Sequence, residues 1–198
     1  MKKHVLSGKD LILIKSLEGN CRANYKRVAE RLGISHTAVK KRVDKLLSKN
    51  CVSIITALNL KKLGFILALL FLEVSTDEQL NELLEKFSEC PRIISMFKTF
   101  GEYNMIALIY AENEKVLDSI LGTCMLRIMK GIRRSLVMPI SDILLGEYYK
   151  VKIPVKKWDI APCGIDCYNC KRYKSKECIG CPAVKCYTGW FSIKEDVS

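Results

Sequence analysis

Histidine is almost missing from this chain: His4 and His36 are its two histidines in 198 residues. No Ser-His-Asp arrangement, P-loop or paired-carboxylate motif stands out, so the common catalytic constellations have little to build on. Long apolar runs are absent too. The longest, Phe65 to Leu72, is strand length. A membrane span needs about 20 apolar residues, far more than this run offers. The start, Met1-Lys2-Lys3-His4, is basic, but Lys9 and Asp10 interrupt any secretory core. The expectation is a cytoplasmic protein with no membrane partner, its ten cysteines held as thiols or metal thiolates rather than disulfides. Glutamine is represented by Gln79 alone while Lys and Glu abound, a hint of a thermophilic source, where intracellular disulfides do occur.

What is abundant is positive charge. The formal net charge is +12, which points to a polyanionic partner, nucleic acid first and an acidic membrane surface second. Residues 1–50 carry +9, residues 51–150 carry −1 and residues 151–198 carry +4. A uniform lysine coat would not leave the middle of the chain neutral, so the basic head is expected to have its own partner, double-stranded DNA.

Periodicity predicts three short helices at the start. The first runs from about Asp10 to Leu17. The second is capped by Asn24, carries Tyr25, Val28, Ala29 and Leu32 on one side, and stops at Gly33. Ser35 caps the third, whose apolar stripe is Val39, Val43, Leu46 and Leu47. Helix, glycine turn, helix is the helix-turn-helix arrangement. Ser35, His36 and Thr37 open the second of these helices, where side chains reach base edges, and Lys40, Lys41 and Lys45 follow as phosphate contacts. Arg42 lies nearer the core and is expected to pair with Glu30 or Asp44. The β-prone Cys51 to Ala57 reads as the strand of a wing.

The rhythm then changes. Phe65 to Val74 is a strand run, apolar on both faces, and Thr76-Asp77-Glu78-Gln79 fits a capping box ahead of a helix with Leu80, Leu83, Leu84 and Phe87. Strands at 93–100 and 103–110 flank Gly101-Glu102. Asn113 caps a helix bearing Leu117, Ile120, Leu121 and Cys124, Gly131 ends it, and 132–140 is a last strand. Residues 142–150 suit an added edge strand. The order β-α-β-β-α-β is the ferredoxin-like pattern. A fold of class α+β follows: a winged helix-turn-helix over 1–60, a ferredoxin-like domain over 61–150, a linker over 151–162, and a small cysteine-rich, metal-stabilised module over 163–198.

Leu32-Gly-Ile-Ser-His-Thr-Ala-Val-Lys-Lys-Arg-Val-Asp-Lys-Leu46 is similar to the recognition segment of the Lrp/AsnC (feast/famine) regulators. Gly101-Glu-Tyr-Asn-Met-Ile-Ala107 and Lys130-Gly-Ile132 resemble signatures of that family's second domain. The resemblance spans roughly residues 6–150. It implies a sequence-specific transcription regulator, a homodimer that builds higher oligomers through sheet-on-sheet contact, and a small-molecule effector held near Gly101, Glu102, Tyr103 and Asn104 and near Ser135 of an adjacent subunit. Asn104 stands where the family usually has Asp, and Ser135 and Val137 where it often has a pair of Thr; these changes count against a typical amino-acid ligand. Related architecture also occurs in decarboxylases of haem precursors, so an enzyme acting on a tetrapyrrole is the alternative. Those enzymes lean on histidines in the second domain, and residues 61–150 contain none.

The tail lies outside that resemblance. It is similar to small cysteine-rich domains of unknown function that begin CGxDCxxC. Cys163, Cys167, Cys170, Cys178, Cys181 and Cys186 place most of the chain's cysteines in one short stretch. The pairs 167/170 and 178/181 have the spacing with which one turn presents two thiolates to one ion. Zinc held by those four, with Cys163 and Cys186 as alternates, is the first expectation. A [4Fe–4S] cluster is the alternative, because CxxxCxxC and Cys181-Pro182 also occur around such clusters. Lys171, Arg172, Lys174 and Lys185 would favour thiolates nearby. Cys21, Cys51, Cys90 and Cys124 show no metal spacing and read as packing residues.

Overall fold

The computed structural model describes residues 6–18, 25–123 and 125–192. Asn24, Cys21, Cys124 and His4 lie outside the described residues. The chain forms two compact units, Met1–Thr56 and Ala57–Ser198.

The first unit is helical. Ser7 caps α1 (Gly8–Leu17) in a reciprocal box. Its hydroxyl accepts from the Asp10 N–H, and the Asp10 carboxylate accepts from the Ser7 N–H at 2.8 Å. After α2 (Tyr25–Leu32), Gly33 takes φ +62, and Gly33 N–H to Glu30 and Ile34 N–H to Ala29 close a Schellman turn. This aims the chain into α3 (His36–Ser48). The Ser35 hydroxyl caps α3, accepting from the Ala38 N–H at 3.2 Å. Leu13, Val28, Ala29, Leu32, Val39, Val43 and Leu46 form the unit's core. Arg42 bonds Asp10 at 2.7 Å, not Glu30 or Asp44, because Asp10 is fixed by the Ser7 cap and faces α3.

The wing strand expected over Cys51 to Ala57 is not formed. The segment is irregular, with Ile54 and Ile55 about half exposed. A strand needs a pairing partner, and the one available is taken just beyond this segment: β1 (Leu58–Asn59) pairs antiparallel with β6 (Tyr148–Tyr149). The extra strand expected in 142–150 therefore joins β1 rather than the edge of the main sheet.

The second unit is built on β2 (Ile66–Val74), α4 (Asp77–Phe87), β3 (Ile93–Lys98), β4 (Met105–Ala111), α5 (Glu114–Thr123), the short α6 (Met125–Ile128) and β5 (Ile132–Pro139). The sheet order β3-β4-β2-β5, all antiparallel, is the ferredoxin-like arrangement expected from the sequence. Alternation sorts the strands into two faces. Ala68, Leu70, Leu72, Val74, Met105, Ala107 and Ile109 face Leu80, Leu83, Phe87, Val116 and Leu117 of the helices. Leu67 and Tyr110 point to the other face, where Ala161, Cys167, Val184, Tyr187 and Phe191 cover them in a second core.

That second core changes the expected organisation. Segment 151–162 is not a free tether: Trp158 bridges Val184, its N–H donating to Ala183 at 2.9 Å, and Ala161 is buried. The tail, including α7 (Lys171–Lys174), belongs to the same unit as the sheet. Large apolar side chains buried this way contribute roughly 1.5–3 kcal/mol each, so the tail gains stability from the sheet as well as from any metal.

Candidate nucleic-acid interface and cysteine-lined cavity

Ser35, His36, Thr37, Lys40, Lys41 and Lys45 are all exposed, while Val39, Val43 and Leu46 are buried on the opposite side of α3. The structure thus separates the six expected contact residues from the core of their helix. The Ser35 hydroxyl is engaged in the cap, so it sets where the helix starts. The His36 ring lies 5.8 Å from the ring of Tyr25 in α2, which holds it at the helix entrance. No carboxylate bonds Lys40, Lys41 or Lys45 among the described ion pairs, which leaves three cations on one outward face.

The expected effector turn sits at the far end of β2. Asn104 uses both ends of its amide there: its oxygen accepts from the Val74 N–H at 2.8 Å and its NH2 donates to the Val74 carbonyl at 2.7 Å. An aspartate in its place could accept but not donate. Thr99 donates to the Tyr103 carbonyl at 2.6 Å, Glu102 is 4.0 Å from Arg134, and Gly101 takes φ +123. Ser135, on β5, accepts from Arg127 at 3.2 Å.

The tail thiols do not form a shell around one point. Among the described residues no three His, Cys, Asp or Glu side chains are placed to hold a single metal ion. Cys163, Cys167, Cys170, Cys178 and Cys181 instead line one cavity of about 80 Å³, and Cys90, from the α4–β3 connection, lines it too. Cys186 does not; it lies on a separate surface depression with Asp166 and Tyr168. No described cysteine is in a disulfide. Burial pushes the Cys167 thiol up to about 12, against an opposing hydrogen bond from the Cys181 N–H. Burial also raises Cys181, against the Ala183 N–H and the charge of Arg92. Such thiols give up their protons when a cation takes the protons' place.

Sequence reasoning missed the cations that matter here. Arg172 is paired with Asp118 and Lys185 with Asp159, at the surface. The guanidinium groups on the cavity wall are Arg92 and Arg127, from the ferredoxin-like domain. Arg92 is buried, paired with buried Glu112 at 2.6 Å, and donates to the Gly180 carbonyl at 2.8 Å between Cys178 and Cys181. Glu112 also accepts from the Tyr187 hydroxyl at 2.6 Å. The signal in the sequence was two charges, Arg92 and Glu112, placed at the ends of apolar strands that pair with each other.

A helix-turn-helix unit with an outward basic helix, followed by a βαββαβ unit, defines a class of DNA-binding transcription regulator. Residues 6–47 match the AsnC-type helix-turn-helix domain. The regulator Ptr1 of Methanocaldococcus jannaschii is 31% identical over 115 residues, covering 57% of this chain and 77% of Ptr1. LrpA of Pyrococcus horikoshii is 30% identical over 119 residues, covering 60% and 84%. In fold, AsnC of E. coli superposes with a TM-score of 0.64 at 16% identity, over 72% of this chain and 97% of that one. A feast or famine regulatory protein of M. tuberculosis, solved with L-methionine, gives 0.62 at 22%, over 72% and 96%. The chain belongs to the Lrp/AsnC family of transcription regulators. These relatives are named as regulators, and nothing among them supports the tetrapyrrole-enzyme alternative. No helix among the described residues is long and apolar enough to cross a membrane.

Proposed function

We propose that this regulator binds double-stranded DNA sequence-specifically as a homodimer and responds to a small effector, to metal or redox state at its tail, or to both. The observation that carries the DNA reading is the exposed face of α3, with Ser35, His36 and Thr37 at its start and Lys40, Lys41 and Lys45 along it. In this reading the first three contact bases and the lysines contact phosphates, with two recognition helices entering major grooves ~34 Å apart. Selection from a random duplex pool, followed by anisotropy titration of the enriched site, tests it. An enriched pseudo-palindrome supports the reading, and binding with no sequence preference overturns it.

Dimerisation is supported by the open face of the sheet. Leu69 is opposite Met138 and Leu108, and Phe71 is opposite Leu136 and Ile106. Of these, Leu136 and Met138 are about half exposed, as is Phe97 opposite Ile106. The tail covers the Leu67–Tyr110 end of this face, with Leu108 packed against its margin. A partner sheet would cover the rest. The effector would lie near Gly101, Glu102, Tyr103 and Asn104 and Ser135 of a neighbouring subunit; because both ends of the Asn104 amide are already bonded to Val74, Glu102 and Ser135 would carry most of its polar contacts. Metal, zinc or iron–sulfur, would be held by thiols from the set Cys163, Cys167, Cys170, Cys178, Cys181 and Cys186.

A further inference from the structure

We infer that the thiol-lined cavity is a site for a polynuclear iron–sulfur cluster of the [4Fe–4S] type, roofed by the tail and floored by the ferredoxin-like domain. The inference rests on the metal-responsive reading above and narrows it to one class of cofactor.

The size and shape of the space decide between a single ion and a cluster. Zinc sits ~2.3 Å from each thiolate, so four sulfurs around it must approach one another to roughly 3.8 Å. They then leave no room between them. Here no three candidate ligands among the described residues converge on a point, yet five tail cysteines border a common space of about 80 Å³. On the measure in which one water needs ~10–15 Å³ this space is several times larger, so it has room for a body of several atoms. Thiols set around a body of several atoms are what a cluster requires.

The surroundings agree. Apart from sulfur the wall is mainly apolar, with Leu70, Ile93 and Ile109 from the sheet. A cluster with four thiolate ligands is an anion, and burying an anion demands positive charge beside it. Arg127 supplies that charge from the wall, while Arg92, neutralised by Glu112, offers N–H donors rather than net charge. Backbone N–H groups also point at the sulfurs, Cys181 N–H at Cys167 and Ala183 N–H at Cys181. Hydrogen bonds of this kind tune iron–sulfur centres.

The ligands assigned are Cys163, Cys167 and Cys170, from the CxxxCxxC segment, and Cys181, which precedes Pro182 and borders the same cavity. Cys178 and Cys90 are wall thiols. Cys186 and Cys51 are outside the cavity.

The test uses the full chain, purified anaerobically, reduced, stripped with chelator and reconstituted with ferrous iron and sulfide. The expected result is ~4 iron and ~4 sulfide per chain with broad visible absorption that bleaches on reduction. Cys163→Ser and Cys181→Ser should each lose more than half of the bound iron, and Cys186→Ser should keep it all. Because a ligand variant can fail to fold, alkylation of the loaded wild type provides a second readout. Cys163, Cys167, Cys170 and Cys181 should be protected, and Cys51 and Cys186 modified. One equivalent of zinc with no uptake of iron and sulfide overturns the cluster, as does protection of Cys186 in place of Cys181. Duplex binding, measured on the same samples, separates the two readings. Protein that binds DNA but takes up no iron overturns the cluster alone; cluster-loaded protein that binds no DNA supports the cluster and overturns the regulator reading.

Discussion

Replacing Arg92 by methionine tests whether the tail is anchored by charge as well as by apolar contact. The Arg92 side chain is 8% exposed and that of Glu112 4%, with 2.6 Å between Nη1 and Oε2. The guanidinium also donates to Gly180 and lies 5.9 Å from the ring centre of Tyr110. Methionine keeps much of the volume but strands the Glu112 carboxylate, which costs ~3–5 kcal/mol when a buried pair loses one member. The Gly180 carbonyl loses its donor as well, and the two losses overlap rather than add. Against a domain stability of ~5–15 kcal/mol this is a large fraction. Trp158, in segment 151–162, bridges the tail at Val184, and Trp190, in the tail, lies 6.3 Å from the ring of Phe65, so their fluorescence in a urea titration reports this interface. Removing both charges in Arg92→Met/Glu112→Leu should recover much of the loss, since apolar replacements of buried pairs are often neutral. A single-variant loss under ~1 kcal/mol, or a double variant no more stable than Arg92→Met, would refute the anchoring argument.

Four further outcomes are expected. Lys40→Ala/Lys41→Ala should weaken duplex binding and flatten the log–log salt dependence by roughly 3.6, because four phosphate contacts, two from each protomer of the dimer, release no counterions; an unchanged slope in anisotropy titrations would remove α3 from the interface. Ser7, through its hydroxyl and N–H, and Arg42 hold the Asp10 carboxyl down at about 2 against the upward push of burial. The stability this confers is therefore fully present above the unfolded carboxyl value of ~3.9 and is lost as pH falls towards about 2; Asp10→Asn should abolish that part of the acid dependence in helix circular dichroism. Leu136→Lys/Met138→Lys should give monomers by sedimentation, and a dimer that survives both charges places the interface elsewhere. Asn104→Asp should cost ~1–3 kcal/mol in thermal or urea unfolding, since it leaves the Val74 carbonyl without a donor.

The helical head was legible because each of its signals is local. Gly33 needs a positive φ to end α2, Ser35 caps α3, and the stripe Val39, Val43, Leu46 repeats at the helical period. The βαββαβ order was legible for the same reason, from runs such as Phe65 to Val74 and the helix stripe that follows Thr76. What failed were inferences about pairing. Cys51 to Ala57 is β-prone, but propensity does not supply a partner, and Leu58–Asn59 found one far along the chain in Tyr148–Tyr149. Arg42 found Asp10 rather than a neighbour on its own helix pair, a contact across 32 positions.

The tail shows the same limit at the level of the site. Cysteine spacing singled out six residues, five of which line one cavity, but spacing speaks only of turns that present pairs of thiols. It says nothing of the wall they face. That wall is the sheet: Arg92 and Glu112 are 20 positions apart in sequence and become neighbours because β3 and β4 pair. Arg127 extends the connection further. It lines the cysteine cavity, and its Nε donates to Ser135, one of the residues expected near an effector. A group that binds in the cavity and pulls on Arg127 would disturb Ser135, and a ligand at Ser135 would disturb Arg127 in return, since coupling between two binding sites is reciprocal. What the structure joins through this one side chain is the cysteine cavity and Ser135; the two signals themselves belong to the proposed function.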